Sequence, residues 1–116
     1  MISDYIDTAP EEQREALRHI HGKIVAVMPD IEPVYPNGFP VWTVDGEWCA
    51  GFASRKKGVM LYVMVSSVLD RYADKLGKLR SGRGCVEWKA SKTLPREELD
   101  ALADTMIREA YETLTS

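Results

Sequence analysis

The sequence predicts an α+β domain, a two-layer sandwich in which a mainly antiparallel sheet carries its helices on one face. Three observations lead there. Long segments at both ends of the chain place apolar residues at helical spacing, and short strand-like segments crowd the middle. The resulting order of helix, three strands, helix, strand, helix is not the alternation of a doubly wound parallel sheet. A chain of 116 residues, 45% hydrophobic and 28% charged, makes one domain, 1–116, large enough to bury a core without staples. No linker, internal repeat or low-complexity tract divides it.

A turn of helix over Ser3 to Asp7 precedes a long helix from Ala9 to Met28. Thr8 and Glu11 have the spacing of a capping box, and Pro10 suits a first turn, where its missing N–H costs nothing. Leu17, Ile20, Ile24, Val27 and Met28 share one face, with Glu11, Glu12, Glu15 and His19 opposite. Pro29 ends the helix. A second helix is predicted over Ser67 to Leu79, with Ser67 and Asp70 as its start signal and Val68, Leu69, Tyr72, Leu76 and Leu79 as its stripe. A third runs from Pro95 to Leu114, where "LPREEL" puts acids at the positive end of the helix dipole. Its buried face is Leu99, Leu102, Ala103, Met106, Ala110 and Leu114.

The sharpest strand signal is "VWTVDGEWCAGF", two apolar runs around Asp45-Gly46, the dipeptide of a type I′ hairpin turn. A two-residue turn pairs Val44 with Glu47, Thr43 with Trp48, Trp42 with Cys49 and Val41 with Ala50. Paired residues share a face, so Val41, Trp48, Ala50 and Phe52 line one side and Trp42, Cys49 and Gly51 the other. "SRKKG" turns into the strand "VMLYVM", and "SGRG" leads into "CVEWK", where Val86 and Trp88 point inward and Cys85, Glu87 and Lys89 outward. The face with Trp48, Phe52, Val86 and Trp88 is expected to pack on the helices. The other is expected to stay partly open, as antiparallel sheets permit.

Composition excludes several classes of function. With 15 basic and 18 acidic residues the net charge is −3, which lacks the basic footprint of a nucleic-acid binder. No apolar run approaches a membrane span, and "MISDYIDTAPEE" has neither the basic nor the apolar region of a signal peptide. Cys49 and Cys85 are too few for a disulfide framework and match no metal knuckle, although alternation puts both on one face of the sheet. These features predict a soluble cytoplasmic protein with reduced thiols.

The open face is the first candidate site. Trp42 stands there beside the small Cys49 and Gly51, forming a shallow shelf. The loop "PVYPNGFP" supplies a rim with Tyr35, Phe39 and Pro40, and Lys56 in the next turn adds a positive charge. The same aromatics suit a subunit interface, so a homodimer is the competing reading of this face. A second candidate is Glu12, Glu15 and His19 at i, i+3 and i+7, whose oxygen and nitrogen ligands suit iron, although charged residues are also the default on a solvated helix face. His21 borders the apolar stripe beside Leu17 and Ile24 and reads as a boundary residue. Neither a nucleophile–base pair nor a phosphate-cradling loop can be identified, since "SGRG" precedes a strand and both histidines lie on one helix. The residues therefore favour a non-catalytic module that binds a small molecule or protein partner, with an enzyme ranked last.

Over nearly its full length the chain resembles the YdhG-like family of small bacterial domains, mostly of unknown function. The resemblance runs from "DYIDTAPEEQREALRHIHGKI" through "MPDIEPVYPNGFPVW" and "GFASRKKGVMLYV" to "GRGCVEWKASKTLPREELDAL". It implies a two-layer α+β fold. It also implies an alternative role, because one branch of the family is described as a frataxin-like intracellular iron chaperone. The acidic first helix would serve that role. The chain departs from the family at Asn37, where an aromatic is common, and at Gly58, where a histidine is common, so no role of that histidine carries over.

Overall fold

In the computed structural model, which describes residues 2–116, a four-stranded antiparallel sheet carries its helices on one face. The elements are α1 (Ile2–Asp7), α2 (Glu11–Val27), β1 (Val41–Val44), β2 (Glu47–Arg55), β3 (Gly58–Val63), α3 (Ser66–Arg71), α4 (Ala73–Leu76), a 3-10 turn (Gly77–Leu79), β4 (Cys85–Glu87) and α5 (Arg96–Thr115). The strands lie in the order β1-β2-β3-β4. This is the α+β sandwich that the sequence predicts. Among the described residues, no helix is long and apolar enough to cross a membrane.

The two long helices form because their apolar stripes have a sheet to cover. Leu17, Ile20 and Ile24 of α2 and Leu99, Ala103, Met106 and Ile107 of α5 are fully buried against Phe52, Leu61, Val63 and Val86. Polar ties join the helices at the surface. The His19 ring lies 2.9 Å from the Asp100 carboxylate, and Lys23 donates to the Asp104 carboxylate (2.9 Å) and the Asp100 carbonyl (3.1 Å). Trp88 packs inward as expected, beneath the His19 ring at 6.1 Å and the Arg96 guanidinium at 5.9 Å.

Two details of the helices differ from the sequence reading. Thr8 makes no capping box: its hydroxyl donates to the Tyr5 carbonyl (3.0 Å), closing α1, and α2 starts after Pro10 with no side-chain cap. Tertiary bonds settle this corner instead, since Arg14 donates to the Ala9 carbonyl (2.9 Å) and the Tyr5 hydroxyl accepts the Ser54 N–H (2.9 Å). The single helix expected over Ser67 to Leu79 is broken into α3, α4 and the 3-10 turn. Tyr72 leaves helical geometry at φ −113°, ψ 18° while its hydroxyl donates to Glu109 of α5, and Gly77 takes a left-handed φ of +52°. Of the predicted stripe, Val68, Leu69, Leu76 and Leu79 are nevertheless buried, and Tyr72 is partly buried.

The hairpin turns where expected. Asp45 and Gly46 have φ of +52° and +81°, the two positive values a type I′ turn requires. Val44 then pairs with Glu47 and Thr43 with Trp48, after which a bulge shifts the register. Trp42 pairs with Ala50 rather than Cys49, and Val41 with Gly51 rather than Ala50. Cys49 is the extra residue. A one-residue slip moves every later side chain to the opposite face. Trp42 therefore points under the helices with only 1% of its surface accessible, and Trp48 turns outward at 37%. Burying an aromatic of 150–250 Å² contributes roughly 4–6 kcal/mol at the usual area coefficient. The bulge gives nearly all of that to Trp42 and surrenders part of it at Trp48.

Candidate functional site

The segment after α2 builds the most enclosed feature on the helix side of the sheet. Pro29 stops the helix, and Val34 and Val41 exchange both backbone hydrogen bonds at 2.8 Å, pinning the chain back against β1. Between this segment and helices α1 and α2 lies a cavity of about 270 Å³ lined by Ile2, His21, Val25, Pro29, Ile31, Glu32, Pro33, Tyr35 and Trp42. Trp42 is its buried end, stacked at a tilt on Phe52 (5.8 Å) and on His21 (5.8 Å). Val25, Val34 and Tyr35, three of the four large apolar side chains exposed among the described residues, lie in or beside its mouth. An exposed apolar patch around a cavity marks a contact site more often than a bare surface does.

The electrostatics are one-sided. Glu32 lines the cavity, and no lysine or arginine does. Burial, reinforced by the negative charges of Asp4 and Glu32, raises the Tyr35 hydroxyl above its ordinary pKa. Burial lowers the His21 pKa, which favours the neutral ring. The Trp42 indole N–H is buried with no hydrogen-bond partner among the described residues. His21 also has a consequence for stability. Its folded pKa lies below the unfolded 6.5, so the unfolded chain binds more protons as pH falls through that value. Stability should fall as the pH drops from about 7 towards the folded pKa of His21 and level off below it. Urea midpoints compared with those of His21→Gln should show a flatter pH slope in the variant, and identical slopes would contradict the assignment.

Of the residues predicted to share a site, Tyr35 and Trp42 do meet, but on the helix side of the sheet. The expected shelf of Trp42, Cys49 and Gly51 on the open face does not exist, because the bulge turns Trp42 inward. Cys49 is fully buried in the helix-side core, and burial pushes its thiol up to about 11, so it stays protonated. Gly51 lies opposite Val41, beneath the carbonyl of the buried Pro40. Phe39 folds onto the outer face of the sheet. There it meets the Tyr62 ring at 5.0 Å and the Arg55 guanidinium at 5.2 Å, while Arg55 donates to the Tyr62 hydroxyl (2.9 Å). Lys56 lines a separate open cleft with Arg55, Lys57, Met60 and Tyr62, away from Trp42.

The metal candidates do not converge. Glu12, Glu15 and His19 are exposed, and His19 is bonded to Asp100. Among the described residues, no three His, Cys, Asp or Glu side chains are grouped to hold a metal ion. Cys49 and Cys85 lie on opposite faces, correcting the expectation that they share one: Cys49 belongs to the helix-side core, and Cys85 packs on the outer cluster of Phe39, Val41, Ala53 and Tyr62.

Sequence reasoning missed Glu32, Val25, Ile31 and Pro33 as lining residues, and it placed His21 at a boundary without a site beside it. The available signal was "MPDIEPVY", a proline-bracketed segment with two acids that follows directly on the helix carrying His21.

No family model and no curated protein matches the chain. Its fold is similar to the crystal structure of an uncharacterized conserved protein from Lactobacillus casei ATCC 334, with a TM-score of 0.53 and 14% identity over 97% of this chain and 93% of that one. The α+β fold is thus shared along nearly the whole of both chains.

Proposed function

We propose that the chain is a non-catalytic binding module whose ligand seats in the cavity between α2 and the segment from Pro29 to Tyr35. One observation carries the reading. Tyr35, His21 and Trp42, three rings from the loop, α2 and β1, converge on one concavity with exposed apolar side chains in its lining. At about 270 Å³ it is just below the roughly 300 Å³ at which drug-sized sites begin, so its ligand is small. A larger cleft of about 710 Å³ between Asp74–Leu79 and Lys89–Thr93 has no aromatic lining. The iron-carrier alternative finds no support in the dispersed Glu12, Glu15 and His19.

The test is a small-fragment screen by ligand-observed NMR on wild type and on Tyr35→Ala. Tyr35 is exposed and has no structural hydrogen bond, so the variant should keep its stability to within about 0.5 kcal/mol. Fragments that bind wild type should bind it at least tenfold more weakly. Fragments that bind both proteins equally would place the site elsewhere.

A further inference from the structure

The geometry points to a small organic cation, an ammonium group on a short apolar body, as the class of ligand this cavity takes. The inference rests on the binding-module reading and adds the sign of charge. Among the described residues, the carboxylate of Glu32 is the only charged side chain in the lining, and no lysine or arginine lines it to balance an anionic ligand. Asp4 adds negative charge on the same side, close enough to act on Tyr35. The polar wall is aromatic. Tyr35 stands exposed at the mouth, and His21 and Trp42 lie ring against ring at 5.8 Å behind it. Aromatic faces attract cations through their quadrupoles, and Trp and Tyr do so best among side chains. A carboxylate beside such rings is the combination that distinguishes an amine from a neutral alcohol of equal size. The volume of about 270 Å³ suits a small organic body.

Three probes of matched shape decide the question: n-butylammonium, n-butanol and butyrate, titrated by saturation-transfer NMR at pH 7.5 and low salt. The expected order is ammonium, alcohol, carboxylate, with the ammonium at least tenfold tighter than the alcohol. The preference should shrink as salt is raised, because Glu32 is exposed and its charge is screened. Glu32→Gln should remove the ammonium's advantage over butanol measured in the same variant, and Tyr35→Ala should weaken all three. If butanol binds in a Tyr35-dependent way but the ammonium binds no tighter, or keeps its advantage in Glu32→Gln, the cation assignment is overturned and the cavity remains a ligand site. If none of the three binds, both the assignment and the binding-module reading fail.

Discussion

Trp42→Ala is expected to lower stability by roughly 3–5 kcal/mol, the usual cost of truncating a buried tryptophan. Trp48→Ala should cost no more than about 1 kcal/mol. The two residues lie on the same hairpin, and simple alternation would give them opposite fates. Trp42 is 1% accessible, with its ring against Phe52 of β2 and His21 of α2, and it belongs to the same buried core as Leu17, Ile20 and Ile24. Those neighbours belong to β2 and α2, so they cannot collapse into the void without moving a strand or a helix. Trp48 is 37% accessible and shares its outer face with Thr43. Domains of this size are typically stable by about 5–15 kcal/mol, so the first variant should lose a large part of its margin and the second almost none. Urea midpoints of the two variants measure the difference, and a Trp48→Ala loss exceeding that of Trp42→Ala would mean that the bulge is misplaced.

The bulge also marks the limit of what the sequence makes legible. Local rules identify α2 and α5 because their stripes repeat over several turns, and they identify the turn at Asp45-Gly46 because few dipeptides accept two positive φ values. β4 is read correctly for the same reason, its Val86 and Trp88 pointing inward. Each of these signals is contained within a short window. The register after Thr43 is not, because it depends on whether Trp42 or Trp48 fits better under helices contributed from elsewhere in the chain. The break at Tyr72 likewise depends on Glu109, which lies 37 residues away. The site divides along the same line. Tyr35 and Trp42 can be grouped by their nearness in sequence, and Glu32 lies just before them, but the opposite wall comes from His21 and Val25 of α2, which only the tertiary fold brings alongside. Lys56, grouped with them by the next turn, ends up on the other face because each strand carries its turn to one end of the sheet.

Gly51→Ala should be among the most damaging single-methyl additions in the chain. A Cβ built on Gly51 would lie 2.5 Å from the Pro40 carbonyl oxygen and 3.3 Å from the Val41 Cα. Both are backbone atoms, so no side-chain rotation relieves the clash. The Pro40 carbonyl is itself held as acceptor of the Phe52 N–H (3.4 Å), and Val41 is fixed by its two bonds to Val34. Relief therefore requires β1 to lift from β2, which also disturbs Trp42 on the adjacent position of the same strand. Overpacking of this kind typically costs about 1–3 kcal/mol, and a clash with fixed backbone belongs at or above the upper end. Gly22→Ala provides the contrast. Gly22 sits within α2 with nothing within 4 Å of its Cβ position, so the substitution should stabilise by roughly 0.4–1 kcal/mol through helix propensity and a less flexible unfolded chain. The pair separates steric cost at Gly51 from the general effect of replacing glycine with alanine. If urea unfolding finds Gly51→Ala as stable as wild type, the Pro40 carbonyl does not lie over Gly51, and β1 cannot be bound to β2 in the bulged register that turns Trp42 towards the cavity.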